Sequence, residues 1–236
     1  MSAIEVAIVD DDEDQREVMA LRVKKEGFKP KLITKDDSGH FATIDQLIDK
    51  ISTSDLVLCD HKLSHGNFAN FYGSQLVAAL YDIGKPAILI TQYTDTPPDE
   101  EYILRYRRKL PTVLSRDKSD EVLFDQLFKN AANELKGNPP VHRKPHRVFL
   151  KIDDIYGDGN HTKNVIAFVP DWRADRAVSF PMDLISETIR DKAVAGAYLI
   201  AQVNTGALDA NDLFFSDFEM PPEPMSEDEL RKSLYP

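Results

Sequence analysis

Short apolar runs that stop at a polar residue recur through the first half of the chain, and they constrain its fold more than any other feature. About five residues suit one buried strand of a parallel sheet. The runs and the residues that end them are Val6–Val9 before Asp10, Leu56–Cys59 before Asp60, and Ala87–Ile90 before Thr91. Because parallel strands end at a common edge, where open α/β sheets bind ligands, we expect these polar side chains to meet.

Helical patterns separate these runs, so that strand and helix alternate five times. Asp12 and Thr43 are candidate N-caps. The pattern predicts strands at Glu5–Asp10, Phe28–Ile33, Asp55–Asp60, Pro86–Ile90 and Val113–Leu114, and helices at Glu13–Glu26, Thr43–Ile51, Gly73–Ile83, Pro98–Arg108 and Ser119–Leu135. This alternation is typical of an α/β fold with a five-stranded parallel, doubly wound sheet and helices on both faces.

The character of the sequence changes after Gly137–Pro140. Short runs rich in Val, Ile, Phe and Tyr follow, separated by turn residues, and they predict a small β-rich, barrel-like domain. The predicted strands are Arg147–Ile155, Asn164–Val169, Ala177–Phe180, Gly196–Val203 and Asp212–Phe218, with one helix at Leu184–Lys192. We therefore predict an α/β domain at 1–136, a linker at 137–146, the β-rich domain at 147–220 and a Pro-rich, acidic tail at 221–236.

Composition restricts the function classes. The 236 residues carry a net charge of −11, which argues against nucleic-acid phosphates as the main ligand. The single cysteine, Cys59, excludes a disulfide framework or a cysteine-rich zinc site. No apolar run approaches the roughly 20 residues of a membrane span, and no secretory leader is apparent. We expect a cytoplasmic protein without a membrane partner.

Residues 4–136 resemble the receiver domain of two-component response regulators. The matching features are the acidic pair Asp10–Asp11 after the first strand, Asp60 after the third, Thr91 after the fourth, and the five strand–helix repeats. The resemblance implies a flavodoxin-like fold. It also implies that Asp60 accepts a phosphoryl group from a histidine kinase or a phosphotransfer protein.

The same resemblance implies a Mg²⁺ site at Asp10, Asp11, Asp60 and the backbone carbonyl of Lys62. The Thr91 hydroxyl would then bind the phosphoryl oxygens. Physical chemistry agrees, since clustered carboxylates repel one another unless protons or a cation neutralise them. Mg²⁺ favours a few carboxylates together with phosphate oxygens.

Several positions depart from the receiver pattern. Arg116 stands where receivers carry a lysine that binds the phosphoryl group, and its planar fork has a different geometry. Gln92 follows the threonine at a place usually held by a small residue, so we expect it to limit access to the site. Val113 replaces the usual aromatic switch residue, and Ser64 replaces a common proline.

Two interpretations of the site follow. In one, Asp60 is phosphorylated and the signal passes by an altered route. In the other, the domain is a degenerate receiver that serves in dimerisation or docking. A phosphohydrolase enzyme is disfavoured, because that class carries a second acidic residue two positions after the nucleophile, where this chain has Lys62. We therefore expect no enzymatic activity.

The β-rich domain matches no output domain that we recognise, and no catalytic or metal-ligand set is apparent in it. Our leading hypothesis is a contact with an unknown effector protein, modulated by phosphorylation. The alternative is a nucleic-acid-binding barrel that uses the basic segment His142–Arg147, which we otherwise interpret as a solvated linker. Pairing of receiver domains as a homodimer is left open.

Overall fold

The computed structural model describes residues 3–35, 39–92, 97–157 and 163–222, and the chain divides into two compact units. The first unit comprises the residues up to Lys144 together with Asn204–Phe214. The second comprises Pro145–Val203 and the residues from Phe215 onward. The segment Asn204–Phe214, which the sequence predicts inside the β-rich domain, thus belongs to the first unit. Most of the predicted tail, from residue 223 onward, lies outside the described residues.

The first unit contains a five-stranded parallel sheet in the order β2-β1-β3-β4-β5. Its strands are β1 (Glu5–Val9), β2 (Lys29–Leu32), β3 (Leu56–Asp60), β4 (Ala87–Thr91) and β5 (Val113–Ser115). Its helices are α1 (Glu13–Lys25), α2 (Ile44–Ile51), α3 (Gly73–Asp82), α4 (Pro97–Tyr106) and α5 (Phe124–Leu135). This strand order is that of the flavodoxin-like doubly wound fold. The predicted fold class is confirmed.

Alternate residues along the strands enter two separate cores. Ala7 and Val57 pack in one core with residues of α2 and α3, whereas Ile8 and Leu58 pack in the other with residues of α1 and α5. Because successive strand residues point to opposite faces, an uninterrupted apolar run buries both faces of the sheet. The sheet therefore has helices on both faces, and the place left for a site is at the ends of its strands.

The helix starts follow the predicted caps, with one exception. The Asp12 and Thr43 side chains accept the N–H groups of Gln15 and Gln46 at the starts of α1 and α2. However, α5 begins at Phe124 rather than at Ser119. Residues 116–121 form 3₁₀ turns instead.

A distant carboxylate explains the late start of α5. Glu26, just after α1, accepts the N–H groups of Phe124 and Asp125 at 3.2 and 3.0 Å. The orphan N–H groups of the first helical turn are thus satisfied by tertiary structure. Leu123, the residue before α5, is 67% exposed.

A group of charged residues, here called the arginine cluster, consists of the buried Arg107, Glu134 and Arg143 and the half-exposed Asp212. Arg143 is 1% exposed and donates two hydrogen bonds to the Glu134 carboxylate, at 3.0 and 2.8 Å. Its guanidinium also donates to the backbone carbonyls of Arg107 and Arg108 at 3.1 and 3.0 Å. The solvated linker predicted for this segment is wrong at Arg143.

Arg107 extends the arginine cluster to the segment Asn204–Phe214. It donates to the Asp212 carboxylate at 2.8 Å and to the carbonyls of Leu110 and Asn211 at 2.6 and 3.3 Å. Burial and the neighbouring Arg143 charge lower the pKa of Arg107 to about 10. The ion pair and its hydrogen bonds explain why this segment packs with the first unit.

The second unit contains a five-stranded antiparallel sheet in the order β10-β9-β6-β7-β8. Its strands are β6 (His146–Tyr156), β7 (Asn164–Val169), β8 (Arg173–Pro181), β9 (Tyr198–Val203) and β10 (Phe215–Glu219). The predicted helix is reduced to α6 (Glu187–Arg190), which follows a 3₁₀ turn at Met182–Leu184. The prediction of a β-rich C-terminal half is confirmed.

The second sheet curls so that its two outer strands meet through aromatic rings. Phe180 of β8 lies 4.5 Å from Phe215 and 5.3 Å from Phe218 of β10, between ring centroids. These strands stand at opposite ends of the sheet order. The core of this unit is therefore enclosed by a single curved sheet. Among the described residues of the chain, no helix is long and apolar enough to cross a membrane.

Candidate functional site

Three carboxylates meet at the carboxyl edge of the first sheet, as predicted from the strand ends. Asp10 and Asp11 follow β1, and Asp60 ends β3, which pairs with β1. One oxygen of each carboxylate lies within 4.8 Å of the others. Such a spacing suits a divalent cation after small adjustments, and Mg²⁺ favours carboxylate oxygens. The acidic residues therefore fit the Mg²⁺ ion that the sequence resemblance implies.

Arg116 adds a positive charge to this group, which we call the acidic site. Its Nη2 donates to Asp10 Oδ2 at 2.9 Å and to Asp60 Oδ1 at 2.5 Å. Its Nη1 donates to Gln15 Oε1 at 2.9 Å. The structure thus brings Arg116, from the turn after β5, into contact with the predicted phosphoacceptor.

Backbone N–H groups hold the remaining carboxylate oxygens. Asp10 Oδ1 accepts the N–H of Asp12 at 2.9 Å, and Asp60 Oδ2 accepts the N–H of Lys62 at 3.0 Å. Asp11 accepts the N–H of His65 at 2.5 Å. These bonds orient the three carboxylates without adding charge.

Burial controls the protonation of the site. Desolvation, followed by the neighbouring Asp10 carboxylate, raises the pKa of Asp60 to about 7, against the opposing effect of Arg116. Desolvation also raises the pKa of Asp11 above its ordinary value. At neutral pH the site therefore favours a proton or a further cation in addition to Arg116.

An open pocket of about 310 Å³ gives access to the acidic site. Its lining consists of Asp10, Asp11, Asp12, Gln15, Asp60, Lys62, Ser64, His65, Gln92 and Arg116. Gln92 is exposed at the pocket. Its predicted role in limiting access stays a prediction.

Thr91 is the last residue of β4 and is 1% exposed. In the pairing of β3 with β4, Asp60 lies opposite Ile90, the residue before Thr91. It is not part of the pocket lining given above for the described residues. Its predicted contact with a phosphoryl group, and the metal contact predicted for the Lys62 carbonyl, stay predictions.

Gly73, at the start of α3, allows the helix to approach the end of β3. A Cβ atom at this position would lie 1.8 Å from the Asp60 carbonyl oxygen. The Gly73 N–H donates to the His61 carbonyl at 2.7 Å. Only glycine permits this approach, which fixes the backbone that carries Asp60.

The sequence did not single out two residues that complete the site, Gln15 and His65. Gln15 lies in the first turn of α1, and its side chain accepts from Arg116. His65 contributes a backbone N–H, which no side-chain pattern signals. Cys59 is buried in the core of the sheet, and desolvation raises the pKa of its thiol well above the ordinary value.

An aromatic stack leads away from the acidic site. The His61 ring, next to Asp60 in the chain, stacks on Tyr72 at 5.1 Å, and Tyr72 lies 4.2 Å from Tyr102 of α4. Val113, at the place of the usual aromatic switch, is half-buried. Aromatic side chains thus connect β3 with α4 by a route that avoids β5.

The strand order defines the first unit as a flavodoxin-like α/β domain, and three carboxylates meet at the carboxyl edge of its sheet. No family model matches the chain, and no curated protein matches it. Similar solved structures include a response regulator receiver domain protein from Clostridium thermocellum, with 15% identity over 56% of this chain and 97% of that chain and a TM-score of 0.42.

Two further solved structures are similar over a comparable share of the chain. FixJ-N has 19% identity over 56% of this chain and 96% of that chain, with a TM-score of 0.41. A CheY-like receiver domain protein from Methanospirillum hungatei JF-1 has 18% identity, with 58% and 97% covered and a TM-score of 0.38. Similarity at this level of identity does not bear on activity, which is inferred from the geometry of the acidic site.

Proposed function

We propose that the chain is an atypical response regulator in which Asp60 accepts a phosphoryl group in a Mg²⁺-dependent reaction. The observation that carries the proposal is the convergence of Asp10, Asp11 and Asp60 beside an open pocket. A carboxylate oxygen of Asp60 attacks the phosphorus of a phosphohistidine, the P–N bond breaks, and an acyl phosphate forms. The histidine of a kinase or phosphotransfer protein leaves with its proton restored from solvent.

The residues of the acidic site divide the work of this transfer. Asp10, Asp11 and Asp60 would hold Mg²⁺, which neutralises charge on the phosphoryl oxygens. Arg116 lies against Asp60 and can donate to phosphoryl oxygens, since guanidinium forks match phosphate geometry. The Lys62 N–H keeps the Asp60 carboxylate oriented toward the pocket.

Intact mass spectrometry tests the proposal directly. The protein is incubated with Mg²⁺ and acetyl phosphate, and separately with a panel of phosphorylated histidine kinases. We expect the mass of one phosphoryl group to be added and then lost with hydroxylamine, which cleaves acyl phosphates. Asp125→Asn, on the exposed face of α5, should still be modified, whereas Asp60→Asn should not. Absence of the adduct with every donor would contradict the proposal.

A degenerate, non-phosphorylated docking domain is the second candidate. The observation that favours it is the Arg116 contact, which already neutralises part of the charge on Asp10 and Asp60. Absence of the phosphoryl adduct, together with concentration-dependent self-association in analytical ultracentrifugation, would support this function. An adduct in the same experiment would exclude it.

We infer an altered route for the signal within the first unit. The stack of His61, Tyr72 and Tyr102 supports a route from β3 to α4 in place of the missing switch aromatic at Val113. Phosphorylation should change the hydrogen exchange of α4 in the wild type. The change should be reduced in Tyr72→Ala and kept in Tyr156→Ala, which alters a residue of the second unit.

The second unit supports a protein effector better than a nucleic acid. Phe149 and Tyr198 are each 53% exposed on one face of the curved sheet, beside the half-buried Phe168. The basic alternative is weaker, because Arg143 is buried and Arg147 pairs with Glu219 through two hydrogen bonds of 2.8 and 2.6 Å. We therefore propose a protein contact modulated by phosphorylation, and no detectable anisotropy change with labelled DNA or RNA.

A further inference from the structure

Arg116 and a divalent cation draw on the same carboxylates. Nη2 of Arg116 is shared between Asp10 and Asp60, two of the three acids that could hold a metal. The Arg116 side chain is only 10% exposed, so water weakens these ion pairs little. An arginine side chain also keeps its proton under all ordinary conditions. The acidic site therefore contains a built-in cation.

Within the described part of the chain, Asp10 and Asp60 are the only acidic residues that accept hydrogen bonds from Arg116. Its second terminal nitrogen donates to the neutral amide oxygen of Gln15 at 2.9 Å. Asp11, the third acid, is instead bound by the N–H of His65. The guanidinium fork is thus fixed at one arm by two carboxylates and at the other by Gln15.

Gln15 is itself held in place. It lies in the first turn of α1 and is half-buried, and its backbone N–H is capped by Asp12. An amide oxygen accepts a hydrogen bond from the guanidinium without adding charge that would attract a metal. Loss of this acceptor would loosen Arg116 and leave all three carboxylates in place.

We propose that Gln15 is a positioning residue that holds Arg116 on Asp10 and Asp60, and that Arg116 competes there with Mg²⁺. Binding of Mg²⁺ then requires the guanidinium to withdraw from at least one carboxylate. Gln15 sets how readily it withdraws, and hence the Mg²⁺ affinity. This inference rests on the proposed function only for the role of the bound Mg²⁺ in phosphoryl transfer. The competition between Arg116 and Mg²⁺ itself requires no phosphoryl donor.

Isothermal titration with Mg²⁺ at pH 8 tests the competition. Gln15→Met keeps the side-chain volume but removes the acceptor. We expect Mg²⁺ to bind about three- to tenfold more tightly, because the hydrogen bond that holds the guanidinium is lost. Arg116→Met removes the competing charge and should tighten binding by about tenfold or more. Gln126→Met, on the exposed face of α5, is the matched control and should bind like the wild type.

A second readout separates competition from a structural role. The ¹⁵N-labelled guanidinium signal of Arg116, assigned by its loss in Arg116→Lys, should shift as Mg²⁺ saturates the wild type. Circular dichroism confirms that each variant is folded. The proposal is overturned by equal Mg²⁺ affinity in the wild type, Gln15→Met and Arg116→Met, or by an Arg116 signal that ignores saturating Mg²⁺.

The two proposals fail in different ways. If the wild type is never phosphorylated but Gln15→Met binds Mg²⁺ more tightly, only the proposed function is refuted. A protein that is phosphorylated on Asp60, but whose Mg²⁺ affinity does not depend on Gln15 or Arg116, would refute only the competition.

Discussion

The acidic site and the arginine cluster are built from the same residue types, but their charges balance differently. The acidic site sets three carboxylates, Asp10, Asp11 and Asp60, against Arg116. In the arginine cluster, two arginines face two carboxylates.

Exposure differs as well. In the arginine cluster, Arg143 and Glu134 are 1% and 3% exposed in their side chains, and backbone carbonyls take further donors of Arg143. The acidic site adjoins an open pocket. A balanced and saturated buried charge group destabilises the fold when one partner is removed, whereas an excess of carboxylate beside a pocket is available for a ligand.

The strongest test of the comparison removes Arg143. Arg143→Met leaves the Glu134 carboxylate buried without its main partner, so we expect the free energy of unfolding to fall by about 3–5 kcal/mol. Urea denaturation followed by circular dichroism measures it. Lys129→Met, which breaks the exposed pair with Asp125, should cost at most about 0.5 kcal/mol. Equal losses in the two variants would contradict the structural role of the cluster.

The second test uses the raised pKa of Asp60 in metal-free buffer. Between about pH 4 and pH 7 the folded protein keeps a proton on Asp60 that the unfolded chain has lost, so this carboxylate lowers stability as the pH rises. Asp60→Asn lacks this effect. We compare the free energies of unfolding of the variant and the wild type. From pH 4 to pH 8, the difference between them should shift in favour of the variant by at most about 4 kcal/mol. If the two free energies of unfolding differ by the same amount across this pH range, the pKa of Asp60 is not raised in the folded protein.

The third test couples protonation to the metal. Because the pKa of Asp60 is about 7 without metal, most molecules must release a proton to bind Mg²⁺ at pH 6. We expect the Mg²⁺ dissociation constant to be about tenfold larger at pH 6 than at pH 8. Calorimetry in buffers of different ionisation enthalpy should detect the released proton. Pairs of titrations with equal affinity at both pH values would argue against a raised pKa.

Within the two charge groups, the smallest expected effect lies at the rim of the arginine cluster. The Asp212 side chain is 50% exposed, and Arg107 keeps its bond to the Leu110 carbonyl without it. Asp212→Asn should therefore lower the free energy of unfolding by no more than about 1 kcal/mol in the same urea experiment. A loss as large as that of Arg143→Met would mean that charge balance, rather than burial, dominates the cluster.

Local pattern was sufficient to predict much of this protein. Apolar runs with acids at their ends predicted the parallel sheet and the meeting of Asp10, Asp11 and Asp60, because strand direction alone decides where those side chains emerge. Asp12 and Thr43 predicted helix starts, since capping depends on residues a few positions away. Turn residues and β-branched runs predicted the second sheet.

The tertiary structure decided what depends on residues far apart in the chain. Glu26 sets the start of α5 from nearly a hundred positions away, and Asn204–Phe214 packs with the first unit through Arg107. The contact of Arg116 with Gln15 likewise joins α1 to the turn after β5. The sequence determined which charges this protein carries to the sheet edge. Folding alone determined which of them neutralise one another, because ion pairs and hydrogen bonds depend on distances that no local pattern specifies.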